Sequence, residues 1–324
     1  MTRVAVIFTG GTISMVRDAA AGGNIPALDG AAILALTLGL EEIADVTAID
    51  LGRTPASHFT LNGILEIGNA IRRAQEDPRI DGVVVVQGTD AIEETAFAWD
   101  LLLDRPEPVV VTGAMRTSSD PDFDGPGNLR DAVRVASSAA MRGAGVNVVL
   151  HGTIEPGDTV IKTHSSAFDT FRSLDAPRLG AVGDEVVVER AHGPRRHLAT
   201  NRAEEDIALV TATVGVDGRP LDGAATWARG IVVAATGAGN TTAGLLEAGT
   251  RATARGIEVV LTTRCPSGAP SDAYAFAGGG ATWVRAGAIL AGHLGGPKCR
   301  VALGLGLGAG LDHEGLAALL ADPA

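Results

Sequence analysis

The chain has 324 residues, 46% apolar and 20% charged, with 26 Lys and Arg against 38 Asp and Glu for a formal net charge of −12. That length and apolar content predict a sizeable core in about two domains and exclude a disordered chain. The acidic balance argues against nucleic-acid or anionic-membrane binding, since either needs a basic face.

Two cysteines, Cys265 and Cys299, exclude a disulfide framework and a four-thiolate zinc site. No apolar run approaches the roughly 18–20 residues of a membrane span, and no basic, then apolar leader precedes the first strand. A cytoplasmic protein is therefore expected. The 43 glycines are well above the usual share of about 7% and form no collagen-like period, so many must serve turns or close backbone approaches.

In chain order, Val4–Phe8 reads as a buried strand ending in Thr9-Gly10-Gly11-Thr12. The paired glycines of Gly22-Gly-Asn-Ile-Pro26 mark a candidate lid. Thr60–Asp77 has Leu61, Ile64, Leu65 and Ile71 at helical spacing, a Thr N-cap and Pro78 just beyond. Val83–Val86 then runs into Gln87-Gly88-Thr89-Asp90, and a helix over Glu93–Leu103 follows. The strand Val109–Val111 ends in Thr112-Gly113, and Asp124-Gly-Pro-Gly-Asn128 opens a helix with Leu129, Val133 and Ala136 on one face. Val148–Leu150 leads to His151-Gly152. From Val188 the pattern breaks into the basic, turn-rich Arg190–His197. It resumes with Ile231–Val233 before Thr236-Gly237 and Val259–Leu261 before Thr262-Thr263.

Continuous β-branched runs alternating with amphipathic helices predict an α/β fold. A larger N-terminal domain (1–189) has a mainly parallel sheet flanked by helices, 190–205 is a linker, and 206–324 forms a smaller C-terminal α/β domain. Ligands of such sheets bind outside the carboxyl ends of the strands, which here carry glycines and hydroxyls.

No His-Glu-x-x-His, no Cys-x-x-Cys and no calcium loop is present; Asp120, Asp122 and Asp124 lack a glutamate at the twelfth loop position. Gly237-Ala-Gly239 has its third glycine misplaced for a dinucleotide loop, and Gly304–Gly310 lacks phosphate-loop spacing. Gly-x-Ser-x-Gly is absent. Neither metal nor cofactor is expected. What remains is hydroxyl chemistry: Thr12 and Thr89 at two strand ends, Asp90, and Lys162. An alcohol needs a base to become a nucleophile, and a desolvated lysine oriented by an aspartate can serve.

Six ordered strings carry a resemblance that spans nearly the whole chain. They are Thr9-Gly-Gly-Thr-Ile13, Gly88-Thr-Asp90 with Glu93-Glu-Thr95, Pro108–Arg116, Asp124-Gly-Pro-x-Asn128, Lys162-Thr163 and Gly237-Ala-Gly-Asn240. They resemble the bacterial-type asparaginase/glutaminase family of threonine amidohydrolases. The resemblance implies a homodimer or homotetramer acting on a small-molecule amide, with Thr12 as the nucleophile that forms an acyl-enzyme. It implies Thr89, Asp90 and Lys162 as a second threonine centre and proton relay. Substrate contacts would come from Gly11, Ser57, His58, Gly88, Thr89, Asp90 and Ala114. Asp90 would meet the α-amino group and Ser57 would lie in the stretch that binds the α-carboxylate. Backbone N–H groups near Thr89 and Ala114 would form an oxyanion hole, worth about 2.7–4 kcal/mol per donor.

The sequence departs from the family pattern in several places. Gln87 and Ala91 replace a His and a Thr around Gly-Thr-Asp, and the substrate turn reads Pro55-Ala-Ser-His-Phe59. The lid has no tyrosine, the only one in the chain being Tyr274. Tyr274 lies in a loop that in this family often reaches a neighbouring subunit, so the expectation is that it supplies the missing phenol near Thr12. The implied reaction is hydrolysis of the side-chain amide of L-asparagine. The alternatives are the same chemistry on another small amide or lactam, or a non-catalytic, amidotransferase-associated relative.

Overall fold

The computed structural model describes residues 1–323 and divides the chain into two compact units, residues 1–197 and 198–324. The first unit holds β1 (Arg3–Phe8), β2 (Met15–Asp18), β3 (Gly23–Pro26), α1 (Gly30–Leu36), β4 (Asp45–Asp50), α2 (Leu61–Glu76), β5 (Gly82–Val86), α3 (Ile92–Leu102), β6 (Val109–Thr112), α4 (Gly125–Ala136) and β7 (Val146–Leu150). It ends with five short strands, β8 (Thr153–Pro156), β9 (Val160–Lys162), β10 (Phe171–Ser173), β11 (Gly180–Val182) and β12 (Val186–Val188).

The main sheet has the order β12-β11-β8-β7-β6-β5-β1-β4. Strands β4, β1, β5, β6 and β7 are parallel, and β8, β11 and β12 extend the sheet through successive antiparallel pairs. The β-branched runs are buried because both faces are covered: α2 packs on β1 and β5, while α4 packs on β5, β6 and β7. Helix α2 starts where expected, the Thr60 hydroxyl accepting the Gly63 N–H at 3.0 Å. The Trp99 indole N–H of α3 donates to the Ile64 carbonyl of α2 at 2.9 Å, which locks these two helices together.

Strand β4 lies outside the elements expected from hydrophobic patterning, because its Asp-Val-Thr-Ala-Ile-Asp pattern is that of a half-exposed edge strand rather than a buried run. The candidate lid is a hairpin, β2 against β3, with Val16 opposite Ile25 and Arg17 opposite Asn24.

Chain order and strand order diverge at β1. The chain goes from β1 outward to β4, then returns past β1 to β5, β6 and β7, so the connections leave β1 and β5 in opposite directions. This is the switch point at which a doubly wound sheet opens a crevice. Here the two strand ends touch through glycines. A Cβ on Gly11 would lie 2.2 Å from the amide nitrogen of Gly88, and one on Gly88 would lie 3.3 Å from the Gly11 Cα. Gly11 also has φ 94° and ψ −172°, a region essentially closed to other residues.

The second unit is a parallel sheet in the order β13 (Ile207–Thr211), β14 (Gly230–Ala235), β15 (Glu258–Thr263) and β16 (Ile289–Leu290). Its helices are α5 (Arg219–Ala224), α6 (Ala243–Thr253), α7 (Gly280–Arg285), α8 (Gly296–Gly308) and α9 (His313–Leu320). Most of the glycine-rich Gly304–Gly310 run lies in α8. A Cβ on Gly306 would lie 2.6 Å from Leu316 of α9, so this glycine lets two helices approach.

Residues 190–205 contain no helix or strand, yet the stretch up to His197 belongs to the first unit. Arg195 anchors it, donating through Nη2 to the carbonyls of Asp100 (2.7 Å) and Leu103 (2.8 Å), with Nε 2.9 Å from Asp100 Oδ1. Asp100 is buried, and its Oδ1 also accepts the Val146 N–H at 2.8 Å. Burial raises its pKa, and the Arg195 charge opposes that rise.

Gly11→Ala should destabilise the protein by at least about 2 kcal/mol, from a forbidden φ plus a backbone clash. Gly23→Ala, where a Cβ meets nothing within 4 Å, should stay within about 0.5 kcal/mol of the parent; urea denaturation reads both. Arg195→Ala should cost about 3–5 kcal/mol by leaving the buried Asp100 carboxylate uncompensated. With its folded-state pKa raised, Asp100 holds more proton folded than unfolded above the reference value of 3.8. Stability of the variant should therefore fall as pH rises from about 4 through the folded-state pKa, measured as a pH series of urea midpoints.

Candidate active site

The crevice at the switch point is assembled from the ends of β1, β5 and β6. Thr9 stitches β1 to β5, its N–H (3.0 Å) and hydroxyl (3.1 Å) both donating to the Val86 carbonyl. The Gln87 N–H continues the ladder to the Thr112 carbonyl of β6 at 3.0 Å. Thr12 begins a single 3-10 turn, Thr12–Ser14, directly after Gly11 and is half-buried. Thr89 begins a second such turn, Thr89–Ala91, directly after Gly88 and is buried. The two threonines thus issue from touching backbones.

The other substrate-contact candidates of this unit gather around Gly88 and Thr89. A Cβ on Gly88 would lie 2.9 Å from the Ala56 Cβ, which puts the Ala56–His58 turn, with its exposed Ser57 and His58, against the β5 end. Gly113 approaches the Gln87 carbonyl and the Thr89 methyl, and the adjoining Ala114 is fully buried. His58 also lines a cavity of about 510 Å³ together with Thr54, Glu66 and Arg73.

Lys162, at the end of β9, reaches Thr89 and Asp90. Its Nζ donates to Thr89 Oγ1 at 2.9 Å and to Asp90 Oδ1 at 2.7 Å. The lysine side chain is 13% exposed and that of Asp90 74% exposed. A hydroxyl, an amine and a carboxylate are therefore in one hydrogen-bonded chain, with the carboxylate on the solvent side. Such a chain can hold a proton beside a reacting group and orient the alcohol. Tyr274 lies in the second unit, 47% exposed in the loop before α7, its ring centroid 6.1 Å from that of Phe276. Among the described residues no group of three or more His, Cys, Asp or Glu could hold a metal ion.

Three supporting contacts were not anticipated from the sequence. Gln87 is buried; its Oε1 accepts the Thr95 hydroxyl at 3.0 Å and its Nε2 donates to the Gly88 carbonyl at 3.2 Å. Asp124 accepts the N–H groups of Met115 (3.0 Å) and Arg116 (2.9 Å), and Asn128 donates to the Gly113 carbonyl at 3.0 Å, so the first turn of α4 shapes the β6 end. Glu93 Oε2 accepts the Lys162 backbone N–H at 2.7 Å. The i, i+4 spacing of Asp124 and Asn128 at a helix start signals one shared face, but no local pattern says that this face meets the β6 loop.

Two family descriptions match the chain. "Asparaginase, N-terminal" covers residues 3–193, and "Glutaminase/Asparaginase C-terminal domain" covers residues 206–320. A probable L-asparaginase of Deinococcus radiodurans is 36% identical over 97% of this chain and 95% of its own length. An L-asparaginase of Bacillus licheniformis is 30% identical over 93% of this chain and 94% of its own length. Among solved structures, a probable cytoplasmic L-asparaginase from Campylobacter jejuni superposes with a TM-score of 0.87 at 26% identity, covering 99% of both chains. No helix among the described residues is long and apolar enough to cross a membrane. With both halves matched in order and near-full-length relatives at 30% identity or more, the chain belongs to the asparaginase family of amidohydrolases.

Proposed function

We propose that the protein hydrolyses the side-chain amide of L-asparagine to aspartate and ammonia through an acyl-enzyme on Thr12. The observation that carries this reading is the Thr89–Lys162–Asp90 chain, at 2.9 and 2.7 Å, standing where the Gly11 and Gly88 backbones meet. In the first half-reaction Thr12 Oγ bonds to the amide carbon. Its proton passes through the Thr89–Lys162 pair to the leaving nitrogen, the C–N bond breaks and ammonia departs. Water then attacks the ester, aspartate leaves and Thr12 regains its proton. Backbone N–H groups near Thr89 and Ala114 stabilise the oxyanion in both halves. The exposed Asp90 carboxylate receives the substrate α-amino group, and Ser57 and His58 flank the α-carboxylate.

A homodimer or homotetramer completes this reading, with Tyr274 of one copy supplying a phenol to the Thr12 of another. That role is motivated by the lid itself: residues 15–28, which include β2 and β3, contain no serine, threonine or tyrosine. The same feature favours a second reading, in which the chemistry is retained but the preferred substrate is a different small amide or lactam. Amidotransferase relatives exist: one component of the glutamyl-tRNA(Gln) amidotransferase of Methanothermobacter thermautotrophicus is 31% identical over 82% of this chain and 63% of its own length.

An ammonia-release assay over L-Asn, D-Asn, L-Gln and simple amides tests the proposal. L-Asn should be turned over fastest, and Thr12→Ala should lose at least about a thousandfold in kcat, the scale seen when a nucleophile is removed. L-Asn turnover that survives in Thr12→Ala would refute the nucleophile, and turnover confined to another amide would select the second reading. Tyr274→Phe should lower kcat; an unchanged value removes the phenol from the mechanism.

A further inference from the structure

Lys162 is delivered to Thr89 by an element that does not belong to the main sheet. Strand β9 pairs only with β10, three residues against three, as a two-stranded ribbon. Two such short strands are marginal unless something else holds them. The end beyond Lys162 is tied off locally. The N–H and hydroxyl of Thr163 both donate to the Thr170 carbonyl at 2.8 Å, and the His164 N–H donates to the Thr170 hydroxyl at 2.9 Å. Those bonds shape the hairpin but do not place it against Thr89.

The Lys162 N–H is a polar group that the ribbon leaves to an outside partner. Antiparallel partners alternate between hydrogen-bonded and non-bonded pairs. Because Thr163 bonds to Thr170, its neighbour Lys162, opposite Phe171, is a non-bonded position whose N–H points away from β10. Glu93 Oε2 accepts this N–H at 2.7 Å. Glu93 lies in the first turn of α3, three residues after Asp90 and four after Thr89. The helix that follows the Thr89–Asp90 turn therefore reaches across to grip the backbone of the residue whose amine meets both side chains. On the other strand, Glu155 of β8 accepts the Ser173 N–H at 3.1 Å. Each strand of the hairpin thus has a backbone N–H held by a carboxylate from a different element.

We infer that Glu93 is a positioning residue for the proton relay, fixing the Lys162 main chain so that Nζ bridges Thr89 and Asp90. It touches neither substrate nor reacting atoms, and it acts through Lys162. The inference rests on the proposed role of Lys162 in amide hydrolysis. A charge-assisted hydrogen bond of this kind restrains direction as well as distance, and a displacement of about 1 Å in a catalytic group can cost about a hundredfold in rate.

The test compares Glu93→Ala and Glu93→Gln in the full chain, since a glutamine carbonyl can still accept the Lys162 N–H. Glu93→Ala should lower kcat by about 10- to 100-fold with KM within about threefold, and Glu93→Gln should recover most of the loss. An activity-independent arm labels lysines with trinitrobenzenesulfonate and follows Lys162 by peptide mass spectrometry. Lys162 should react several-fold faster in Glu93→Ala than in the parent or in Glu93→Gln. Equal labelling in all three proteins, or Glu93→Gln as impaired as Glu93→Ala, would overturn the inference. Lys162→Met separates the two levels. If it keeps parental activity, the relay role of Lys162 fails, while the labelling result still decides whether Glu93 holds this lysine.

Discussion

The site depends on one close contact, the meeting of the Gly11 and Gly88 backbones at the switch point of the larger sheet. A side chain on Gly11 would force the ends of β1 and β5 apart, and one on Gly88 would press on Ala56. Their absence lets two 3-10 turns begin side by side, one with Thr12 and the other with Thr89. The parallel sheet supplies the rigidity: β1 and β5 are central, buried on both faces and paired over their full lengths, so neither strand end can retreat. The crevice is therefore a property of topology, and the glycines bring its two strand ends into contact.

Around this contact, hydrogen bonds from helix starts add to the packing of buried residues such as Ala56 and Ala114. The first turn of α3 contributes Glu93 and Thr95, one holding the Lys162 backbone and the other orienting Gln87 beneath Gly88. The first turn of α4 contributes Asp124 and Asn128, which bind the loop after β6. Helix starts suit this task because they follow strand ends directly in an α/β unit and place side chains within reach of neighbouring loops. The polar network also satisfies backbone N–H groups that the irregular strand ends would otherwise leave without partners.

Lys162 shows why such support is needed. Its amine must lie among a buried hydroxyl and an exposed carboxylate, yet it is carried by a three-residue strand outside the main sheet. Local knotting around Thr163, His164 and Thr170 gives the ribbon its shape, while carboxylates from α3 and β8 hold its backbone beside the buried side chains of Val160 and Phe171. Asp100 and Arg195 repeat the logic elsewhere. An ion pair from Arg195 to the buried Asp100 fastens the segment up to His197, which composition alone marks as a linker, onto the body of the first unit.

The α/β class, the central buried strands and the helices over 61–76, 92–102 and 125–136 are legible in the amino-acid sequence, because hydrophobic period and capping chemistry are local. It also singled out Thr89, Asp90 and Lys162 as chemically suited partners. The buried runs did not include β4, whose pattern is that of a half-exposed edge, and the ribbon formed by β9 and β10 is too short for any periodicity to register. That an amine 72 residues beyond Asp90 bridges it to Thr89, and that Glu93 holds the backbone of Lys162, emerges from the folded arrangement. Strand order and side-chain reach across elements are non-local quantities, set by how the sheet winds rather than by what any stretch of residues prefers.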